Sequence, residues 1–443
     1  MSKFSRRNFM LTAGATALGA TILHGCTTPN TPTTTTSPTA TAPDSAGGGD
    51  APEVTTAKLG FIALTDAAPL IIAKEKGLFD KYGMTGVEVL KQASWPVTRD
   101  NLELGSGGGG IDGAHILTPM PYMMTLGTIT KTKKPVPMYI MARLNTQGQG
   151  ISLANTYKEL KVGLDSKPLK DSFAKAKAGG KEPKVAMTFP GGTHDLWMRY
   201  WLAAGGIDPN KDVSVIPVPP PQMVANMKVG SMESFCVGEP WNAQLVAQKL
   251  GYSALITGEL WKNHPEKAFT LRKDWADQNP KAAIALLKAV LEAQQWCDEP
   301  ANKEEMAKII SGRQYLKVAP EDILGRLQGK VDFGDGRTLD DPDLAMKFWR
   351  DNASYPYQSH DLWFLTEDIR WGYLPQTTDT QKVIKEVNRE DLWKQAAQAI
   401  GVPPEQIPTS TSRGVETFFD GIKFDPADPT AYLDSLKIKA LKG

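Results

Sequence analysis

Hydrophobic runs of strand length alternate with amphipathic segments of helix length along much of the chain. The runs 57–62 and 87–90 predict buried strands, and the segment 68–76 between them predicts a helix that ends at Gly77. Strands that alternate with helices are typical of proteins in which helices cover a largely parallel sheet. The first part of the chain is therefore predicted to have an α/β fold.

The clearest strand-helix-strand unit lies in the middle of the chain. Its strands are predicted at 184–189 and 213–218, and its helix is predicted at 194–204, where Gly205 and Gly206 end it. Consecutive strands joined by such a helix pair in parallel within one sheet. This unit extends the α/β prediction to the central part of the chain.

The turn that enters the helix of this unit is a candidate binding site. In parallel sheets, ligands bind beyond the carboxyl ends of the strands, where the N–H groups of the next helix are free. Gly191 and Gly192 would let the backbone approach a ligand. Thr193 is predicted to be the N-cap, and His194 follows it in the first turn, where the two could face a small anion. The alternative is a capped turn whose histidine is hydrogen-bonded to a nearby carbonyl, and the stretch alone favours that alternative.

The N-terminus predicts export from the cytoplasm. Ser5, Arg6 and Arg7 precede a weakly apolar run at 11–23, and no acidic residue comes before Cys26. This order is typical of a twin-arginine secretory signal. The apolar run is shorter than the roughly 20 residues that a membrane-spanning helix needs.

The signal ends in Leu23-His24-Gly25-Cys26, which resembles the bacterial lipoprotein processing box. Residues 1–25 are therefore predicted to be a signal peptide, and Cys26 is predicted to carry lipid that anchors the protein to a membrane. The alternative is an ordinary cleavage site beside an incidental cysteine. Residues 26–52 are rich in Thr, Pro and Gly and are predicted to form a disordered tether.

Size and charge narrow the range of partners. The chain has 443 residues, and the part after the tether is longer than one hydrophobic core usually serves, so two lobes are expected. The chain carries 50 basic and 49 acidic residues, and loss of Lys3, Arg6 and Arg7 with the signal leaves 47 basic against 49 acidic residues. This balance predicts no binding of nucleic acid, and any anion must be held by a local site.

The cysteines and the common catalytic motifs point away from an enzyme. Cys236 and Cys297 lie in apolar runs and are predicted to be two buried thiols. The glycine-rich stretch 105–110 fits G-x-G-x-x-G but follows a polar segment rather than a buried strand, so it predicts no dinucleotide site. The sequence has no Walker A motif, no H-E-x-x-H and no paired C-x-x-C. A hydrolase based on His194 would need a nucleophile and an orienting acid, and the adjacent Asp195 would point elsewhere on the helix.

Several segments resemble a known family. Residues 58–70 and 76–83 resemble the nitrate, sulfonate and taurine class of ABC-transporter substrate-binding proteins. The resemblance narrows to the cyanobacterial nitrate-binding lipoproteins of that class at residues 112–121, 189–201, 235–241, 264–269, 352–357 and 412–421. It covers essentially the whole chain after the tether, and the export signal agrees with it.

The resemblance implies a two-lobed, type II periplasmic-binding-protein-like α/β fold with the ligand in the cleft between the lobes. Lobe 1 is expected to comprise residues 53–150 and 263–443, and lobe 2 residues 151–262. The protein is expected to capture nitrate and nitrite and to deliver them to a membrane permease whose ATPase is a separate chain. It is expected to lie on the periplasmic face of the plasma membrane, to be no enzyme and to need no cofactor.

The resemblance also implies which residues hold the anion. They are Trp95, Gln149, His194, Gly238 and Lys267. Nitrate is planar, monovalent and a weak acceptor, so a buried site needs one counter-charge and several neutral donors. Lys267 would supply the charge, Gln149 and His194 would supply N–H donors, and Gly238 would supply a backbone N–H without a blocking side chain. Trp95 would offer its indole N–H or a ring wall.

Two related ligand classes are alternatives. In the bicarbonate-binding relatives, as the resemblance implies, the position of Lys267 is acidic and calcium binds beside the bicarbonate. Lys267 together with His194 favours nitrate instead and predicts no metal site, because an ammonium and a metal cation would compete for one place. A sulfonate or taurine binder is the other alternative.

Overall fold

A computed structural model describes residues 51–441 of the chain. The predicted signal peptide, the predicted lipidation site Cys26 and nearly all of the predicted tether lie outside the described residues. Within residues 51–441, no helix has both the length and the apolar character needed to cross a bilayer.

Fourteen strands occur in the described part of the chain. They are β1 (Thr56–Phe61), β2 (Gly86–Lys91), β3 (Gly113–Leu117), β4 (Met138–Arg143), β5 (Gln149–Ala154), β6 (Lys184–Met187), β7 (Ser214–Pro217), β8 (Ser234–Gly238), β9 (Gly251–Ile256), β10 (Lys267–Arg272), β11 (Lys330–Asp332), β12 (Thr338–Asp340), β13 (Glu416–Thr417) and β14 (Lys423–Phe424). Ten of them, β1 to β10, build the two large sheets, whereas β11–β12 and β13–β14 form separate antiparallel pairs.

The α-helices of the same residues surround these sheets. They are α1 (Ala68–Glu75), α2 (Leu78–Lys81), α3 (Trp95–Leu104), α4 (Pro119–Thr125), α5 (Pro168–Ala178), α6 (Thr193–Ala204), α7 (Met223–Lys228), α8 (Trp241–Ala247), α9 (Lys273–Gln278), α10 (Pro280–Asp298), α11 (Lys303–Ile310), α12 (Glu321–Leu327), α13 (Gln358–Arg370), α14 (Thr380–Val387), α15 (Glu390–Ala399) and α16 (Pro429–Ser435). The predicted strands and helices at 57–62, 68–76, 87–90, 184–189, 194–204 and 213–218 are confirmed, with ends that differ by a few residues.

The two large sheets have the same topology. The first has the strand order β2-β1-β3-β10-β4, with β1 parallel to β2 and β3, and β10 antiparallel to β3 and β4. The second has the order β7-β6-β8-β5-β9, with β6 parallel to β7 and β8, and β5 antiparallel to β8 and β9. The α/β prediction is confirmed, and in each sheet one antiparallel strand is inserted beside the parallel ones.

The inserted strands mark the places where the chain passes between the sheets. It leaves the first sheet after β4 and enters the second at β5, through residues 144–148. It leaves the second sheet after β9 and returns to the first at β10, through residues 257–266. Each inserted strand therefore begins immediately after a crossing. The lobe boundaries expected near 150 and 262 stay a prediction.

Two further sequence predictions concern the cysteines and the glycine-rich stretch 105–110. Cys236 and Cys297 are buried free thiols, as predicted. Gly105 follows helix α3 rather than a strand, and its φ of 67° suits a glycine that ends a helix. The glycine-rich stretch, although it fits G-x-G-x-x-G, thus follows the end of a helix rather than a strand.

The C-terminal region packs across the second crossing. Trp363 of α13 stacks on Trp197 of α6, with ring centroids 4.8 Å apart. Trp261, in the crossing segment 257–266, donates from Nε1 to Glu416 Oε2 at 2.8 Å and packs edge-on against Phe418 at 5.1 Å. Residues 412–421, whose structural role the sequence alone did not explain, thus pack against the crossing segment 257–266, which leads to β10.

We predict that Trp363→Ala lowers the free energy of unfolding by about 3–5 kcal/mol, because it empties a fully buried position between four aromatic rings. Urea unfolding followed by tryptophan fluorescence measures the loss. The control is Val229→Ala, whose side chain is 76% exposed and whose removal should change stability by no more than about 0.5 kcal/mol. A loss below about 1 kcal/mol in Trp363→Ala would show that this aromatic packing does not stabilise the fold at the second crossing.

Candidate functional site

The carboxyl ends of the parallel strands in both sheets meet the first residues of the inserted strands. In the first sheet, Lys267 begins β10 and pairs with Leu117, the last residue of β3. In the second sheet, Gln149 begins β5 and pairs with Gly238, the last residue of β8. Ligands bind at this edge of α/β sheets because the connections there are free to carry functional groups. The repeated topology thus places Lys267 and Gln149 at equivalent positions of the two sheets.

Lys267 is the centre of a buried polar cluster. Its side chain has no exposed area, and its Nζ lies 3.0 Å from Asp66 Oδ2 and 2.8 Å from Glu266 Oε2. The same Nζ lies 3.4 Å from both Gln149 Oε1 and His194 Nε2. Burial alone would lower the pKa of Lys267, but the two carboxylates outweigh it and raise the pKa, so Lys267 is an ammonium.

His194 joins the cluster from the first turn of α6. Its Nε2 donates to Gln149 Oε1 at 2.7 Å, and its Nδ1 accepts from the Thr188 hydroxyl at 2.5 Å. Burial, and next the charge of Lys267, hold the pKa of His194 well below its usual value. The ring is therefore a neutral imidazole whose N–H points towards Gln149 and Lys267.

Gly191 and Gly192 lead into α6, and glycine is favoured at each of these positions for a different structural reason. Gly191 has a φ of 70°, which favours glycine, and its N–H donates to Asp195 Oδ2 at 2.9 Å. A side chain at Gly192 would meet Leu117 Cδ1 at 2.6 Å, so this glycine allows the helix start to approach β3. Asp195 is thus a structural residue that faces away from His194.

The prediction that Thr193 is the N-cap of this helix is wrong. Gly192 occupies the N-cap and has no side chain to cap with, and Thr193 is the first helical residue. Its hydroxyl donates instead to Glu266 Oε2 at 2.9 Å. A capping hydroxyl would accept from a backbone N–H of the first turn, but the N–H groups of Asp195 and Leu196 donate to the Gly192 carbonyl and the Thr193 hydroxyl is directed to the carboxylate.

Gly238 faces the same cluster from β8. A Cβ at this position would lie 2.6 Å from Gln149 Oε1 and 3.2 Å from Asp66 Oδ2. A side chain at this position would therefore displace Gln149 Oε1 from the cluster, so glycine allows the Gln149 and Asp66 side chains to meet there.

Trp95 packs against His115 rather than against Lys267. It begins α3, which the Ser94 side chain caps by accepting from Val97 N–H. The indole is fully buried, its ring centroid is 5.5 Å from that of His115, and its Nε1 has no hydrogen-bond partner among the described residues. Of the five residues predicted for the site, Gln149, His194 and Lys267 are in contact, Gly238 abuts Gln149, and Trp95 is connected through His115.

Three further members of the cluster were not predicted as site residues. Asp66 lies in the turn Thr65–Ala67 after β1, His115 lies in β3, and Glu266 immediately precedes Lys267. His115 Nε2 donates to Asp66 Oδ1 at 2.6 Å. A titratable residue inside the otherwise apolar strand 113–117 is a signal that could have found His115. Asp66 and Glu266 sit in ordinary polar surroundings in the sequence, and only the fold brings them to Lys267.

Glu266 ties α6 to the start of β10. Its Oε2 accepts from Thr193 and Lys267, and its Oε1 accepts from Trp197 Nε1 at 2.5 Å. Burial raises the pKa of Glu266, and Lys267 opposes that shift. Burial likewise acts to raise the pKa of Asp66, but Lys267 and His115 dominate and lower it below its usual value.

The charge of Lys267 is therefore shared with protein carboxylates. On sequence grounds Lys267 is expected to be the single counter-charge of a bound anion, yet Asp66 and Glu266 both contact it. Within residues 51–441, no group of three or more His, Cys, Asp or Glu side chains has the arrangement of a metal site.

Two mixed sheets joined by two crossings, with a buried polar cluster at their common edge, define the class of the periplasmic substrate-binding proteins. A crystal structure of the periplasmic nitrate-binding protein NrtA from Synechocystis PCC 6803 superposes with a TM-score of 0.86 and 69% identity, covering 88% of this chain and 100% of that one. The model of the NMT1-like family matches residues 50–311, and the chain belongs to that family.

Curated relatives match over their full length. The nitrate/nitrite binding protein NrtA of Synechocystis sp. is 66% identical over 450 residues, which cover 100% of both chains. The bicarbonate-binding protein CmpA of Synechococcus elongatus is 49% identical over 444 residues, covering 98% of each chain. By these names, the relatives bind three small monovalent oxyanions: nitrate, nitrite and bicarbonate.

We predict that Lys267→Met lowers the free energy of unfolding by about 3–5 kcal/mol at pH 8, because it leaves two buried carboxylates without their cation. In the unchanged protein, the lowered pKa of Asp66 contributes stability that is present above its unfolded-state value and is lost as pH falls. In the variant, the contribution of these carboxylates to stability is instead expected to increase as pH falls, because unpaired buried carboxylates favour the protonated form.

Urea midpoints at pH 8 and pH 5 measure this reversal. The loss caused by Lys267→Met should be smaller at pH 5 than at pH 8, because protonation neutralises the unpaired carboxylates. Equal losses at both pH values would show that Lys267 does not hold the two carboxylates in their charged form.

Proposed function

We propose that the protein captures nitrate, and nitrite with it, in the buried cluster and delivers the anion to the membrane permease of an ABC importer. The observation that carries this proposal is the buried Lys267 ammonium at the junction of the two sheets, with Gln149 Oε1 and His194 Nε2 each 3.4 Å from its Nζ. The full-length similarity to nitrate-binding proteins supports it.

The cluster suits a planar monovalent oxyanion. Nitrate carries one charge spread over three weak acceptor oxygens, so it needs one ammonium and a few N–H donors rather than a dense set of charges. Lys267 provides the ammonium. Gln149 Nε2 donates to Asp66 Oδ2, and His194 Nε2 donates to Gln149 Oε1, and both N–H groups would turn from these protein acceptors to the anion. Gly238 allows the Gln149 side chain to reach the cluster, because a Cβ at this position would lie 2.6 Å from Gln149 Oε1.

Trp95 is proposed as a further donor. A buried indole N–H without a partner is uncommon, because leaving it unsatisfied costs about 1–3 kcal/mol. An oxyanion that accepts from Nε1 would remove that cost. His115, which packs beside the indole and bonds Asp66, positions the two residues relative to each other.

Capture by closure gives the site its affinity. Lys267, Asp66 and Trp95 belong to elements of the first sheet, whereas Gln149, His194 and Gly238 belong to elements of the second. The anion is therefore held only when both halves face each other, and opening at the crossings 144–148 and 257–266 would release it. The closed form is the one that we expect to dock on the permease.

Anchoring and energy coupling complete the proposal. We infer that residues 1–25 direct export, that Cys26 carries the lipid and that residues 26–52 tether the domain to the periplasmic face of the plasma membrane. The sequence contains no Walker A motif, so the ATPase is proposed to be another chain of the transporter. The protein itself is proposed to be a binding protein and no enzyme.

Bicarbonate is the second candidate ligand, because a bicarbonate-binding relative matches nearly the whole chain. The ammonium of Lys267 favours nitrate, since calcium would have to bind beside a fixed positive charge. Titration with bicarbonate, with and without calcium, separates the two candidates. Calcium-dependent bicarbonate binding without nitrate binding would replace the proposed ligand and leave the fold assignment unchanged.

We predict that replacing Lys267 by Gln weakens nitrate binding by at least about 30-fold, because the desolvated cation is lost. Isothermal titration calorimetry of the exported domain at pH 6 measures the affinity. The matched control is Lys347→Gln, which removes another fully buried lysine that pairs with Asp351 and contacts Asn263. Lys347→Gln should bind nitrate like the unchanged protein, and equal losses in both variants would contradict the assignment.

We further predict that Trp95→Phe weakens nitrate binding by about 2- to 10-fold, because it removes one N–H donor and keeps an aromatic ring in place. The control is Trp393→Phe, whose indole donates to Ser354 Oγ at 3.0 Å away from the cluster. An unchanged affinity in Trp95→Phe would show that the indole is a wall and not a donor.

A further inference from the structure

Lys267 is already neutralised by protein groups. Asp66 Oδ2 and Glu266 Oε2 lie 3.0 Å and 2.8 Å from its Nζ, and the side chains of all three have no exposed area. Two carboxylates and one ammonium leave the group with a net charge of minus one when all three are ionised. A bound monovalent anion would add a second surplus negative charge in a place that water does not reach, which is costly.

Asp66 also uses the donors that the anion needs. Its Oδ2 accepts from Lys267 and from Gln149 Nε2, the latter at 3.2 Å. A carboxylate is planar and monovalent like nitrate, so the two compete for the same ammonium and the same amide N–H. His115 Nε2 holds the other oxygen of Asp66 at 2.6 Å and keeps the carboxylate facing the cluster.

Among residues 51–441, the other titratable groups around the cluster do not supply a second positive charge. His115 Nδ1 faces the N–H of Ile62 at 3.4 Å, and His194 Nδ1 accepts from Thr188, so each ring is used as a neutral donor-acceptor pair. The groups that act on these side chains from further out are His264, Cys236 and Asp195, which are a neutral imidazole, a buried thiol and an acid paired with Arg199.

We propose that Asp66 is the resident counter-ion of Lys267 and that the anion binds together with one proton, which neutralises Glu266. This inference rests on the proposed function and names how the same site is regulated. The anion takes the place of Asp66 on Lys267, while the proton removes the negative charge that would otherwise be in excess. The bound site then carries the same net charge as before.

The contacts of Glu266 are suited to receive this proton. Oε1 accepts from the indole of Trp197, and Oε2 accepts from Lys267 and from the Thr193 hydroxyl. A proton on Oε2 would be donated to Thr193 and would leave a lone pair of Oε2 for Lys267. The Thr193 hydroxyl lies 2.9 Å from Oε2 and can turn from donor to acceptor, because a hydroxyl serves as either. The proton comes from solvent and is returned when the anion leaves. Burial, which raises the pKa of Glu266, favours the same group.

The direct consequence is an anion affinity that falls as pH rises. If one proton is taken up with each anion, the dissociation constant increases by about tenfold per pH unit wherever free Glu266 is ionised. Glu266→Gln would remove this dependence, since the carboxamide is neutral at every pH and can still accept from Trp197.

The test is calorimetric titration of the unchanged exported protein with nitrate at pH 7.5, in phosphate and in Tris buffer. The two buffers differ in heat of ionisation, so the difference between the observed enthalpies gives the number of protons taken up. We expect close to one proton per nitrate, and close to none in Glu266→Gln. The control is Glu367→Gln, a buried glutamate that likewise accepts from a tryptophan, Trp371, and should keep the uptake of the unchanged protein.

The outcomes are separable. Nitrate binding without proton uptake overturns this inference and leaves the proposed function intact. The absence of nitrate binding in both buffers overturns the proposed function and this inference with it. If Glu266→Gln fails to fold, the two-buffer measurement on the unchanged protein still decides the question, because it needs no variant.

Discussion

The pairing of the Lys267 ammonium with two buried carboxylates is the interaction on which the rest of the structure depends. Asp66 comes from the turn after β1, and Glu266 precedes β10 and bonds α6 of the other sheet. An ammonium in this position would be expelled or neutralised without such partners, since desolvating a lone charge costs several kcal/mol. The cluster therefore links the edges of the two sheets, and it contains the Lys267 ammonium that the proposed oxyanion requires.

The double crossing of the chain explains why this cluster forms where it does. Each inserted strand starts immediately after the chain changes sheet, and each contributes its first residue, Gln149 in one sheet and Lys267 in the other. The C-terminal segment packs over the second crossing through Trp261 and Glu416. The crossings and the cluster are thus built from neighbouring residues, which is the basis of the proposed link between anion binding and the relative position of the two sheets.

The sequence predicted the architecture better than the chemistry of the site. Periodicity located the strands and helices around His194, and resemblance selected Gln149, Gly238 and Lys267, which the fold does bring together. Neither source identified Asp66 or Glu266, because their meeting depends on strand register and on a contact between sheets, which a single sequence does not encode locally. The wrong N-cap prediction for Thr193 has the same cause, because its hydroxyl donates to the carboxylate of Glu266, which is distant in the sequence.

The central claim is that an oxyanion is held by Lys267 at the junction of the two sheets. A crystal structure of the exported protein with nitrate tests it most directly. The account predicts one nitrate with oxygens about 2.7–3.2 Å from Lys267 Nζ and Gln149 Nε2, and Asp66 withdrawn from Lys267. Nitrate bound elsewhere, or a cluster that keeps Asp66 and Glu266 on Lys267 at saturating nitrate, would contradict it.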